Sequence, residues 1–418
     1  ENEVQTYTIT FNSNGGDNVA QISAKSGDTI SAPTAPSKAS NSKWEEYEFL
    51  GWYTDNETFT KEFTFGTMPN FNNTLYAKWE LVDVWEAISS QDGLKDLDAY
   101  GNYYLTSNIT LTGNWVAIDH SDDAGFHGKF DGKGHKISGL KIVSSQNVNV
   151  GGFMMSNAGI ISNLTLDGVD ITVSSNSVGA AAGGIAVYNH GGNIINCYVH
   201  GKIVANGHNL VNVGGIVAEN KGIITDSHTD VDIEANSAEF VTLYSNIGGA
   251  VGRMTKEVTN SGNSNITARL ENCSSVGDII VNTKGTTYVG GLIGSSYGKV
   301  LTSLATGSIS VTNNGDTYVG GLMGINEINA EVKNCYATGN VQVSAGRAFV
   351  GGFVGKNDAV VNYGYATGNV TSVSTNPESY AGGFAGKGRE NTIFLGCLAM
   401  GNVSAATVSG FVLTGGFV

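Results

Sequence analysis

The sequence predicts an all-β protein whose larger part is a right-handed parallel β-helix, and three features carry that reading. A Gly-Gly pair followed by apolar residues recurs at Gly151, Gly183, Gly214, Gly248, Gly290, Gly320, Gly351, Gly382 and Gly415. The spacing is 30 to 34 residues, apart from one interval of 42 between Gly248 and Gly290. Inside the copies, Val and Ile alternate with other residues at period two, the pattern of a strand with one buried face, and no helical period is sustained. Recurrence at such a period marks a solenoid, which grows linearly and needs no single large core.

Aligning the copies on Cys335 shows what each contains. Three residues earlier the position is always apolar: Ile161, Ile194, Ile224, Leu270, Val300, Val332, Val361 and Phe394. Four residues later comes Gly in seven of eight copies, as at Gly277, Gly307, Gly339, Gly368 and Gly401, and two beyond that stands Val or Ile, as at Ile279, Ile309 and Val341. Glycines punctuate strands where the backbone bends. A copy therefore reads as three short strands and three turns, one coil stacked on the next at about 4.8 Å. The four cysteines, Cys197, Cys273, Cys335 and Cys397, share one position in alternate copies, where Leu164, Ser227, Ser303 and Gly364 fill the others. Two coils span roughly 9 to 10 Å. A disulfide needs Cα atoms within about 7 Å. Four free thiols in a small buried column are expected, not a disulfide or a metal site.

The pattern GG[FLI]xG…N-C-Y-A-T-G-x-[VI], as in Gly320 to Val341, resembles the GLUG repeat of bacterial surface proteins, including non-catalytic regions of some IgA-specific metallopeptidases. The resemblance runs from about Gly151 to the C-terminus. It implies a cell-surface or secreted setting and no reaction.

Ahead of the copies the chain changes character. All five Trp and three of the four Pro lie there. TYTITFNSNGG reads as a strand ending in an Asn-Gly turn. Together, Ile9 to Gly16, Phe49 to Thr54 and Tyr76 to Trp79 resemble the Listeria–Bacteroides repeat, the B-repeat of internalins. That resemblance implies a small β-grasp-like module used as a spacer or contact module. Trp52 and Trp79 read as its core, while Trp44, in the polar insertion SKASNSKWEEYE, is expected as an exposed contact. The layout expected is a module over 1–81, a linker and helical cap over 82–101, and the β-helix over 102–418. Within Leu81 to Gly101, Ile88, Leu94 and Leu97 fall on one side of an amphipathic helix that would cover the solenoid's open end. Phe126 to Leu140, FHGKFDGKGHKISGL, resembles the opening coil found ahead of GLUG repeats. His120, Asp122, Asp123, His127, Asp131 and His135 crowd this region, but their spacing matches no zinc motif and reads as turns.

Net charge is −15 and only four Arg occur. Such a surface repels phosphate backbones and anionic lipid, so no nucleic-acid partner is expected. No apolar run reaches the length of a membrane span, so no membrane insertion is expected. The opening ENEVQTY looks like a processed N-terminus, and the ninth copy stops at Val418 before its strands are complete. Further chain or a partner is therefore expected at that end.

HExxH, HxxEH, a phosphate loop with Lys-Ser or Lys-Thr, and tandem calcium nonapeptides are all missing from the sequence, and no GxSxG supports a Ser hydrolase. No catalytic residue, cofactor or metal ligand is assigned. Two function classes remain. One is a non-catalytic, adhesin-like surface or secreted protein binding a host protein or glycan through solenoid loops. The alternative is a carbohydrate-active β-helix enzyme, a polysaccharide lyase or glycosidase, built around Asp226, Asp230 and Asp232. Two insertions, ANSAEFVTLYSN before Gly248 and RMTKEVTNSGNSNITARLENC after it, lengthen one coil. Insertions in solenoids become loops on one face, often the binding face. Arg253, Lys256 and Arg269 in the second insertion join Trp44 as candidate ligand contacts.

Overall fold

The computed structural model describes residues 5–418 apart from 121, 123, 145–148, 240–242, 256–257, 261–263, 267, 377, 391 and 409–411. The chain forms two compact units, Glu1–Glu86 and Ala87–Val418.

In the first unit, β1 (Thr6–Asn12), β2 (Ile22–Lys25), β3 (Glu45–Tyr53) and β4 (Asn73–Asp83) form one sheet in the order β2-β1-β4-β3. The central pair β1–β4 is parallel and both outer pairs are antiparallel. This is the β-grasp strand order, and among the described residues no helix accompanies it. Alternation along TYTITFN puts Tyr7, Ile9 and Phe11 on one face, where Ile9 packs with Ile30, Trp52, Met68, Leu75 and Ala77. The Trp79 indole donates to Ser13 O at 2.8 Å, tying the Asn-Gly turn to β4.

Trp44 departs from expectation: it is buried, 7% exposed. The reason lies in the strand ends. β3 and β4 pair out to Glu45 and Asp83, and Val84 N donates to Trp44 O at 2.9 Å. The polar neighbours in the sequence conceal this closure.

The second unit opens at Ala87, inside β5 (Glu86–Ile88), the last strand of an eleven-stranded sheet, and continues into α1 (Gln91–Lys95). The expected cap helix is therefore a strand and little more than one helical turn. Ile88, Leu94 and Leu97 are all buried as anticipated, but Ile88 enters the sheet, and a helix with Gly93 in its middle does not extend. Ser90 caps it, its side chain accepting from Gly93 N.

Beyond α1 the chain winds into a β-solenoid of about 9 turns. Its walls are parallel sheets of 23, 8 and 11 strands. One coil contributes Met323–Asn326 to the eight-stranded sheet, Glu331–Lys333 to the eleven-stranded sheet, and Tyr336–Ala337 with Val341–Gly351 to the largest. Four strands per coil replace the three expected, because the alternating run continues past the Tyr-Ala step up to the next Gly-Gly corner. Each strand pairs with its counterpart one copy later: Met323 with Val354, Val332 with Val361, Tyr336 with Tyr365, Val341 with Val370. One copy is one coil.

The repeat positions now acquire physical roles. The apolar column from Ile161 through Ile194, Ile224, Leu270, Val300 and Val332 to Val361 is fully buried. The glycine four residues after the cysteine position is a close backbone contact: a Cβ on Gly339 would stand 1.9 Å from Gly307 O. The residue before the cysteine position turns the corner in the left-handed region. Asn163, Asn196, Asp226, Asn272, Thr302, Asn334 and Tyr363 all have φ between +48° and +57°, which suits the Asn and Asp that dominate there. The four thiols are free. Alternate copies place a serine beside them, and Ser227 and Ser303 accept from Cys197 N and Cys273 N at 3.1 Å each. Burial pushes the Cys197, Cys273 and Cys335 thiols up to about 12. A second internal column is polar: Asn157 Nδ2 donates to Asn189 Oδ1 at 2.8 Å and Asn189 Nδ2 to Asn220 Oδ1 at 2.7 Å, all three residues fully buried.

The 42-residue interval leaves the register intact, since Gly248 pairs with Gly290. Part of the extra chain forms an antiparallel hairpin, Val258–Asn260 with Ser264–Ile266, in a sheet of its own. The insertion thus departs from the solenoid wall.

Candidate functional site

At every Gly-Gly corner the chain passes from the largest sheet to the eight-stranded sheet, and here the outer faces of two walls approach each other. The third glycine of GGxxG marks the contact. A Cβ on Gly324 would lie 2.5 Å from Gly294 O and 2.6 Å from Val289 N. In the first coils, larger residues stand at this position and make a small apolar cluster, Val187 and Ala218 against Ala181. Further along, glycine leaves room, and the facing position becomes Asn212, Asn246, Tyr288, Tyr318, Phe349 and Tyr380 in successive coils. The rings stack in a ladder, with centroids 5.2 Å apart for Tyr288–Tyr318, 4.7 Å for Tyr318–Phe349 and 5.4 Å for Phe349–Tyr380.

The ladder ends in a groove of about 300 Å³. Tyr244 leans on Tyr288 there at 5.4 Å and 32°. With 54% of its surface exposed, it is the open end of the stack. Buried beneath are Asn246 and Ser295, with Ser295 Oγ donating to Asn246 Oδ1 at 2.7 Å and Asn246 Nδ2 to Asn212 Oδ1 at 2.8 Å. Arg253, Tyr297 and Glu327 complete the lining. Burial first, then the Glu327 carboxylate that takes its hydrogen bond, push the Tyr297 phenol up. Burial likewise pushes Tyr288 and Tyr318 up. These phenols stay protonated, and able to donate, at neutral pH. The first insertion ends at this place with Leu243 and Tyr244, while Arg253 is a wall residue in register with Glu219 and Ser295, just ahead of the point where the second insertion leaves.

Of the residues singled out from sequence, Arg253 lines the groove, exposed and in no ion pair among the described residues. Arg269 does not. It sits on the eleven-stranded sheet, partly buried and ion-paired with Glu271. Lys256 lies outside the described residues. Trp44 is a buried residue of the other unit. Sequence reasoning missed the groove's tyrosines, although an aromatic two residues before Gly-Gly repeats in TYVGG, TYVGG, AFVGG and SYAGG.

The three aspartates do not converge. Asp226 turns a corner and accepts from Asn272 Nδ2 at 2.6 Å. Asp230 and Asp232 point outward along His228–Ser237, and Asp232 accepts from Asp278 N at 3.0 Å. In the preceding coil their register partners are His200 and Lys202. In the His- and Asp-rich stretch, His127 stacks on Tyr100 at 5.1 Å, and Asp131 accepts from Lys133 N at 2.8 Å and from Asn163 at 2.9 Å. Asp123 lies outside the described residues.

Two repeat families match. Residues 7–78 fit the Listeria-Bacteroides repeat domain, and residues 315–342 fit the GLUG motif. Two Evansella cellulosilytica proteins, described as a candidate membrane protein and a candidate Gly-rich membrane protein, are each 40% identical over 80 residues, 19% of this chain. Halomucin of Haloquadratum walsbyi is 32% identical over 164 residues, 34% of this chain. The chain spans only 11%, 8% and 2% of those relatives' lengths. Among solved structures, a candidate immunoglobulin A1 protease from Bacteroides ovatus aligns with TM-score 0.46 and 20% identity, covering 62% of this chain and 76% of that one. Among the described residues, no helix is long and apolar enough to cross a membrane.

Proposed function

We propose that this chain belongs to a non-catalytic, adhesin-like protein, displayed on a bacterial surface or secreted, that binds a host protein or glycan at the groove beside Tyr244. The observation that supports it most is the groove itself, at the place where the first insertion ends and just before the second leaves the wall, which mixes aromatic, cationic and amide groups. Ligand sites of this kind combine apolar surface with a few placed polar groups on a rigid scaffold. The two repeat families, and relatives described as membrane proteins, accord with display outside the cell. The test is a binding screen of the chain against immobilised glycans and extracellular-matrix proteins, repeated with Arg253→Ala and Tyr244→Ala. Binding lost in both variants supports the reading. Binding unchanged in both overturns the site. Release of sugar products, abolished by Asp230→Asn, would replace it with the enzyme reading.

A further inference from the structure

We infer that the groove takes one uncharged pyranose unit of a glycan, stacked on Tyr244 and held through its hydroxyls by Arg253 and Glu327. This rests on the binding reading above and narrows its ligand. Size is the first argument. About 300 Å³ is enough for one or two sugar rings. It lies at the small end of the range for ligand pockets, roughly 300 to 1,000 Å³, too small for a helix or a folded partner's patch.

The aromatic surface is the second. Rings from Tyr288 to Tyr380 lie against one another, so their faces are already covered. Tyr244 ends the ladder with over half its surface in solvent. The C–H face of a pyranose carries slight positive charge and suits the negative face of such a ring.

Polarity is the third. Every sugar hydroxyl is both donor and acceptor, so it needs both kinds of partner. Arg253 supplies donors only and the Glu327 carboxylate acceptors only, while Asn212 supplies both. The Ser295–Asn246–Asn212 bonds hold the amides in place before any ligand arrives. Charge decides between sugars. Arg253 and Glu327 offset each other, and the chain as a whole carries −15. A carboxylated or sulfated sugar would set a like charge beside Glu327, and a quaternary ammonium would meet Arg253. An uncharged ring meets neither penalty.

The experiment is saturation-transfer NMR with titration of the whole chain, using lactose, cellobiose and chitobiose as neutral probes and sialyllactose and digalacturonate as charged ones. At least one neutral probe should bind, and better than either charged probe. Tyr244→Ala should weaken it about tenfold, the loss of one ring contact. Arg253→Ala should weaken it as well, and Glu327→Gln should raise the affinity for sialyllactose. Tyr336→Ala, in a stacked pair with Tyr365 outside the groove, should leave binding unchanged. Tighter binding of the charged probes overturns the inference. So does neutral binding that survives Tyr244→Ala. If none of the sugars binds while the chain still adheres to a matrix protein in the screen, the ligand class is wrong and the binding function stands. If neither occurs, both fail.

Discussion

Replacing Asn189 with Ala removes one rung of a fully buried polar ladder, and the structure says what that costs. The Asn189 side chain accepts from Asn157 Nδ2 at 2.8 Å and donates to Asn220 Oδ1 at 2.7 Å and to Gly192 O at 3.0 Å. Without it, the Asn157 amide keeps only a long contact to Gly159 O at 3.5 Å, and Gly192 O loses a donor at a buried position. A hydrogen bond contributes about 1 kcal/mol net, but a buried group left without a partner costs about 1 to 3 kcal/mol. The expected loss is therefore about 3 to 5 kcal/mol. Asn189→Asp should do no better, since a carboxylate there cannot donate to Asn220 and is denied water. Asn282→Ala is the comparison: its Nδ2 donates to Asn236 Oδ1 at 3.1 Å on an exposed face. Water replaces that bond, and the loss should stay within about 1 kcal/mol. Because solenoids unfold in neighbouring units, the assay is native-state hydrogen exchange read coil by coil, with urea unfolding beside it. Asn189→Ala should lower protection most in the coils carrying Asn157, Asn189 and Asn220. A loss below about 1 kcal/mol, or equal losses for the two alanine variants, would refute the reasoning.

Three further outcomes are expected. Thiol titration in denaturant without reductant should return four groups, and under native conditions at pH 8 the partly exposed Cys397 should react well before the three buried ones. Because burial raises those three from 9.0 to about 12, the unfolded thiols ionise first as pH rises. Their contribution to stability is complete below pH 9 and is lost between pH 9 and about 12, which urea midpoints across that range would read. Gly324→Ala should destabilise the solenoid by more than about 2 kcal/mol, although Gly→Ala in an open strand usually helps, because the added Cβ meets backbone at 2.5 and 2.6 Å. Shortening the Val258–Ile266 segment should leave the melting temperature within a few degrees of the parent, since among the described residues these strands pair only with each other. A fall as large as that of Gly324→Ala would place the hairpin in the wall.

The sequence by itself determined the coil. In a parallel stack, equivalent positions of successive copies pair directly, so a period in the sequence becomes a column in space. The Ile161-to-Val361 column, the alternating Cys and Ser positions and the exit of extra residues after Met254 all follow from that one-dimensional rule. In the first unit alternation along TYTITFN gave a strand, and the β-grasp-like arrangement was implied only by the resemblance to the Listeria–Bacteroides repeat. Tertiary structure alone decided what meets across a corner. Spacing along one strand fixes which residues share a face, but not the angle between two walls of a coil. That angle follows from backbones closing over Gly294, Gly324 and Gly355. It turns tyrosines that read as ordinary outward residues into a ladder, and it brings Tyr244 and Glu327, 83 positions apart in the chain, to one groove. Trp44 and Ile88 escaped the sequence for the same physical reason. Trp44 reads as exposed and is buried where β3 and β4 pair past it, while Ile88 reads as the buried side of a helix and is buried in a strand, each because the pairing partner lies elsewhere in the chain.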